Sequence, residues 1–172
     1  GSIEHAAAYT ISLYSLSKAY GMASWRIGYM VIPDALWSAV NKIQDTILIC
    51  APAVSQQAAL AAVSVGAAYA RAALGGLDGT RRRIFEALRD PAIPCHTPAS
   101  AGAFYYFVTV HTALDSMTMV ERLIREHRVA AIPGAAFGET GGCTLRISYG
   151  ALDAETVHEG ITRLIRGLQQ LA

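Results

Sequence analysis

Two short runs rich in β-branched and aromatic residues, Tyr9 to Tyr14 and Arg26 to Ile32, lie near the start of the chain with a polar segment between them. Such residues suit a pleated, half-buried surface, and the spacing predicts two strands joined by a polar turn. No other feature constrains the fold as much. The turn holds Ser15, Ser17, Lys18, Gly21 and Arg26, so hydroxyls, an amine, a glycine and a guanidinium gather beside a strand end.

The remainder reads as helices and strands in alternation. Asp34 is a candidate N-cap for a helix from about Ala35 to Ile49, with Leu36, Val40, Ile43 and Ile47 at helical spacing and an end near Pro52. From Ser55 to Asp90 the pattern is helical and alanine-rich, interrupted by Gly66 and by the cluster Gly75, Gly76 and Gly79. Each glycine costs roughly 1 kcal/mol against alanine, which predicts a kink or hinge there. The triplet Arg81-Arg82-Arg83 reads as a solvated helix face. After Pro91 and Pro94 the expected elements are a strand near Ala103 to Val110, a helix near Ser116 to His127, a strand near Thr144 to Tyr149 and a helix from about Asp153 to Leu171. The last has Asp153 as its cap and Ile161, Leu164, Ile165 and Leu168 as an apolar stripe. These elements predict a compact α+β unit.

Composition narrows the function classes. With 53% hydrophobic and 16% charged residues among 172, the chain is expected to bury much of itself or to meet another subunit. A formal charge of +1 gives no general attraction for nucleic acid or anionic lipid, so any phosphate recognition has to be local. Cys50, Cys95 and Cys143 are odd in number, far apart and without a C-x-x-C pair, which argues against a disulfide framework or zinc site and fits a reducing cytoplasm. The five histidines include no H-x-x-x-H pair, and no metal is expected. No apolar run reaches the ~18 residues that span a bilayer, and no signal-peptide pattern opens the chain, so a soluble protein without membrane association is expected.

A lysine at a strand edge, partly desolvated and close to a second cation, is a good amine nucleophile toward an aldehyde. An arginine such as Arg26 can fork onto a phosphate. The hydroxyls of Ser15 and Ser17 can donate to the same group or simply satisfy the turn. The grouping suits a phosphorylated cofactor.

The pattern S-x-S-K-x-x-G-x-x-x-x-R-x-G-Y, from Ser15 to Tyr29, closely resembles the pyridoxal-phosphate lysine signature of class I/II aminotransferases, the fold-type I family, in its aspartate/aromatic aminotransferase-like branch. The resemblance runs on through most of the chain. Cys50-Ala51-Pro52 with Ser55-Gln56 is similar to the family's segment after the first helix, and Gly102-Ala103-Phe104-Tyr105 to the first strand of its small domain. Ile132-Pro133-Gly134-Ala135-Ala136-Phe137-Gly138 followed by Leu145-Arg146-Ile147-Ser148-Tyr149 resembles its P-G-x-x-F-G loop and the strand bearing the arginine for the substrate carboxylate.

This resemblance implies that Lys18 bonds pyridoxal 5'-phosphate and then shuttles a proton. Ser15, Ser17 and Arg26 would contact the cofactor, Ser15 and Arg26 at its phosphate, while Tyr20 and Trp25 would be packing residues. Arg146 would bind the substrate carboxylate. An arginine inside an otherwise apolar strand is costly to bury without an anion, and a bidentate carboxylate matches its planar fork; a structural ion pair is the alternative. The implied fold class is α/β, the C-terminal part of the PLP-dependent transferase fold: a remnant of the large mixed-sheet domain over residues 1–66, an interdomain helix over 67–90 and a small α+β domain over 91–172. The implied function is transfer of an amino group between an amino acid and a 2-oxo acid, in a homodimer.

The sequence departs from the family in starting only 17 residues before Lys18, so the N-terminal half of the cofactor domain is missing. In the family that half supplies a glycine-rich turn near the phosphate, a ring-stacking aromatic, an Asn and a Tyr at the ring hydroxyl and an Asp at the pyridine nitrogen. The chain alone is therefore expected to be inactive and to associate with a partner. The cluster Gly75 to Gly79 is a second departure, since the family runs a long helix there. Rival functions are another reaction on the same scaffold (a C–S lyase, a cyclopropane-forming synthase or a decarboxylase) or a non-catalytic aminotransferase-like sensor domain of a transcription regulator.

Overall fold

The structure is a computed structural model and describes residues 3–172. It divides into two units, Gly1–Ala73 and Leu74–Ala172, with the boundary inside a long helix.

In the first unit β1 (Ser12–Ser15) pairs antiparallel with β2 (Gly28–Val31) in the register Ser12↔Val31 to Ser15↔Gly28. The expected pair of strands forms, though both are shorter than predicted and their link is more than a polar turn. It contains the four-residue helix α1 (Leu16–Ala19) and a 3-10 turn at Ala23–Trp25. Ser15 starts α1 because its Oγ accepts from the N–H of Ser17, and Leu16 and Met22 bury beneath the segment. Stacked rings of Tyr14 and Tyr29, 4.8 Å apart, brace the strand pair.

Helix α2 spans Trp37–Ile47 and α3 spans Ala53–Val65. Asp34 does not cap α2. A 3-10 turn, Asp34–Leu36, comes first, and the N-cap is Leu36, which offers no side-chain acceptor. Of the predicted stripe, Leu36, Ile43 and Ile47 are exposed. Gly66, at φ 75°, breaks the helical stretch before α4 (Ala67–Leu88), a conformation that costs a side-chain-bearing residue far more than glycine. The expected break at Gly75, Gly76 and Gly79 does not interrupt the helix: α4 continues through them. Asp78 accepts hydrogen bonds from Arg81 and Arg82 one turn on, and these span Gly79. The arginine triplet is accordingly not all solvated face: Arg81 is half-buried and also donates to the carbonyl of Ser100.

The second unit is built on a four-stranded antiparallel sheet in the order β3 (Cys95–His96), β4 (Tyr105–Val110), β6 (Cys143–Ser148), β5 (Ile132–Pro133). The two-residue strands β3 and β5 went unpredicted, being too short to show a period. Alternation along the central strands aligns buried residues with buried residues, Tyr106↔Ile147, Val108↔Leu145 and Val110↔Cys143. Met119, Val120 and Leu123 of α5 (Ser116–His127) join this core, as do Val157, Ile161, Leu164, Leu168 and Leu171 of α6 (Ala154–Leu171). Both helices have the start signals their sequences call for. Asp115 accepts from the N–H groups of Met117 and Thr118, and Asp153 from those of Glu155 and Thr156. Among the described residues no single helix is long and apolar enough to cross a membrane.

Candidate active site

Four of the five candidate residues meet at one end of the β1–β2 ladder. Ser15 ends β1 and opens α1, Ser17 and Lys18 lie within α1, and Arg26 leads toward β2. Backbone bonds stitch this end together: the N–H of Leu16 donates to the carbonyl of Ile27 at 3.5 Å, and that of Met22 to the carbonyl of Leu16 at 3.3 Å. Opposite Ser15 stands Gly28, where an added Cβ would sit 2.5 Å from the carbonyl oxygen of Tyr14, so only glycine allows the strands this approach.

Several hydrogen-bond donors gather at this end. Ser15 Oγ accepts from the Ser17 N–H at 3.2 Å, which leaves its hydroxyl hydrogen to donate elsewhere. Arg26 takes a left-handed backbone (φ 49°, ψ 50°), and its Nη1 donates to the carbonyl of Ala23 at 2.8 Å, leaving four of the five guanidinium N–H bonds for an anion. Ser15, Lys18 and Arg26 are exposed and Ser17 is half-buried. Arg26 is thus an exposed side chain on a fixed turn.

Arg146, the fifth candidate, belongs to the second unit. It sits in the middle of β6, opposite Phe107 of β4 and Ile132 of β5, on the other face of the sheet from the buried Leu145 and Ile147. Its guanidinium carbon lies 5.2 Å from the ring centre of Tyr105 and 5.0 Å from that of Phe137. Its Nε is buried and has no hydrogen-bond partner among the described residues. A buried donor without an acceptor costs on the order of 1–3 kcal/mol, so this nitrogen calls for a hydrogen-bond acceptor. No carboxylate of the described residues forms an ion pair with Arg146, so the structural ion pair that was its alternative role is not found among them.

Two features escaped sequence reasoning. One is the aromatic frame of Arg146, in which Phe137 also meets Phe107 edge-on at 6.0 Å. The other is Ser55 of α3, buried and donating to the carbonyl of Trp25 at 3.1 Å. Its sequence signal was the Ser55-Gln56 pair in the family-like segment, which gave no hint of the contact with Trp25.

The family model described as aminotransferase class I and II matches residues 2–164. The chain belongs to this family. It is 32% identical over 165 residues to an aromatic aminotransferase of Arabidopsis thaliana, covering 94% of this chain and 41% of that protein. It is 31% identical over 154 residues to an aspartate aminotransferase of Thermotoga maritima, covering 90% and 38%. The crystal structure of an aromatic aminotransferase from Pyrococcus horikoshii superposes with a TM-score of 0.85 at 29% identity, covering 98% of this chain and 45% of that one. The expected family and fold class are borne out, and the chain spans about two fifths of the length of these aminotransferases.

Proposed function

We propose that this chain carries the cofactor-bonding lysine and the substrate-carboxylate arginine of a pyridoxal-phosphate-dependent aminotransferase, which moves an amino group between an amino acid and a 2-oxo acid. The observation that carries the reading is the buried Nε of Arg146, which has no hydrogen-bond partner among the described residues and whose guanidinium lies beside the rings of Tyr105 and Phe137, in a chain of the aminotransferase class I and II family.

The cofactor, when bound, supplies the electron sink that such a reaction needs. Lys18 Nζ would be its covalent attachment point and, as a free amine, would move the proton at the substrate Cα. Arg26 and the hydroxyl of Ser15 would hold the phosphate through charge-assisted hydrogen bonds, and Ser17 would also contact the cofactor. Arg146 grips the substrate carboxylate in bidentate fashion, with Tyr105 and Phe137 flanking the guanidinium, and so sets which Cα bond is presented for cleavage. The protein works as a homodimer in the cytoplasm, the latter in keeping with three cysteines of which none forms a disulfide among the described residues.

The test is an assay of the protein that joins this chain to a complete cofactor domain, supplied with amino acids and 2-oxo acids. Amino transfer that depends on the 2-oxo acid is expected. Release of pyruvate or ammonia without a 2-oxo acid would instead mark a lyase, and cofactor binding without turnover would mark a sensor.

A further inference from the structure

The described part of Gly1–Ala73 buries only three residues, Leu16, Met22 and Ser55, and they are linked through one turn. The carbonyl of Leu16 accepts from the N–H of Met22 at 3.3 Å, and the carbonyl of Met22 accepts from the N–H of Trp25 at 3.2 Å. The carbonyl of Trp25 in turn accepts from the hydroxyl of Ser55 at 3.1 Å. In this series of hydrogen bonds, among the described residues, Ser55 is the one member from outside the Lys18 segment, thirty residues along the sequence from Trp25. It is 5% exposed.

That carbonyl matters because it belongs to the peptide plane joining Trp25 to Arg26. Fixing it fixes the axis about which the Arg26 backbone turns. Arg26 sits at φ 49° and ψ 50°, a left-handed conformation that costs a non-glycine residue about 1–2 kcal/mol and persists only where the surroundings hold it. One residue further on, the Ile27–Gly28 peptide is held as well, since the carbonyl of Ile27 accepts from the N–H of Leu16. Ser55 therefore secures the peptide that enters Arg26, and the strand ladder takes hold after Ile27.

We propose that Ser55 is a positioning residue for Arg26: its buried hydroxyl locks the Trp25–Arg26 peptide and so aims the guanidinium at the cofactor phosphate. The inference rests on the reading of Arg26 given under the proposed function. Ser55 touches no reacting atom. Its removal acts through Arg26 alone, leaving a carbonyl without its donor and letting the arginine relax toward ordinary backbone angles.

A double-mutant cycle on the protein with a complete cofactor domain tests this, read as the Kd of pyridoxal phosphate by absorbance titration and as the 31P resonance of the bound phosphate. Ser55→Ala should weaken binding about tenfold and shift the resonance, as the loss of one buried hydrogen bond would. Ser55→Thr, which keeps the hydroxyl, should restore both to within about twofold of the starting protein. In an Arg26→Ala background, Ser55→Ala should change neither further. An equal loss in that background would overturn the inference by making Ser55 an independent structural residue. Normal binding in Ser55→Ala, where Arg26→Ala binds weakly, would overturn the inference and leave the reading of Arg26 intact. Normal binding in Arg26→Ala would remove both. If Ser55→Ala does not fold, Ser55→Cys, a weaker donor of similar volume, takes its place in the same comparison.

Discussion

The stretch Leu74–Ala172 closes its own core, whereas Gly1–Ala73 leaves most of its large apolar side chains in water. In the second, eighteen hydrophobic residues from Ile84 to Leu171 form one buried cluster beneath a four-stranded sheet. In the first, Leu16 and Met22 are the buried hydrophobics among the described residues, while Leu13, Tyr29, Met30, Val31, Trp37 and Ile47 are exposed. A two-stranded sheet has too little surface to bury its own side chains, and exposed apolar patches of this kind mark surfaces made for other structure. The difference bears on function. The order within Gly1–Ala73 is concentrated around Lys18 and Arg26, and Arg146 stands on the self-sufficient sheet.

The sharpest way to break the comparison is Lys18→Ala in the protein with a complete cofactor domain. Turnover should fall by orders of magnitude and the visible absorbance of lysine-bound cofactor should vanish, with the thermal unfolding of the second unit unchanged. A variant that kept its colour and its rate would remove Lys18 from the reaction.

Substitutions in the two sheets should differ next most. Leu145→Ala, at a site with no exposure, should destabilise by about 2–5 kcal/mol in denaturant unfolding. Leu13→Ala, at a site 73% exposed, should cost within about 0.5 kcal/mol in this 172-residue chain. Joined to a complete cofactor domain, the same Leu13→Ala change should cost measurably more, because the sheet then has neighbours to pack against it. Equal costs in both contexts would mean that this strand face stays bare.

Acid should act on the second unit with the smallest of these effects. The side-chain hydrogen bonds of Arg81 and then Arg82 hold the Asp78 carboxyl below the usual range; for Asp115 the Thr118 hydroxyl has that role, and for Asp153 the Thr156 N–H. A carboxyl whose folded pKa lies below its unfolded one adds stability above the unfolded value, near about pH 4, and loses it as pH falls through the folded value. Melting temperature should therefore hold at neutral pH and fall below about pH 4. Asp153→Asn, which keeps a capping oxygen, should flatten part of that fall at little cost at pH 7. An undiminished slope would show that the Asp153 cap does not contribute to it.

How much of this was legible in the sequence followed how local the cause was. The Asp153 cap of α6 acts within one turn, and the ranges of α5 and α6 were readable nearly to the residue. Asp34 carried the right residue type at a helix start, but the turn Asp34–Leu36 displaced the cap. The cluster Gly75 to Gly79 predicted a hinge by propensity, but α4 continues through it, with Leu77, Ile84 and Leu88 packed in or against the core; tertiary packing of this kind overrides propensity. At the candidate site Lys18, Arg26 and Arg146 could be named from motif spacing. Ser55, Tyr105 and Phe137 also fell within family-like motifs, but their contacts with Trp25 and Arg146 were not legible, since each joins residues distant in sequence.

The most direct test of the division between the units is a paired measurement on Arg26→Ala and Arg146→Ala, each in the protein with a complete cofactor domain, of pyridoxal-phosphate Kd and of KM for the amino acid. Arg26→Ala is expected to release the cofactor readily while KM at saturating cofactor changes little. Arg146→Ala is expected to do the reverse, raising KM strongly with cofactor affinity unchanged. If the two variants gave the same pattern, or the patterns were exchanged, cofactor binding by the first unit and substrate binding by the second would both be contradicted.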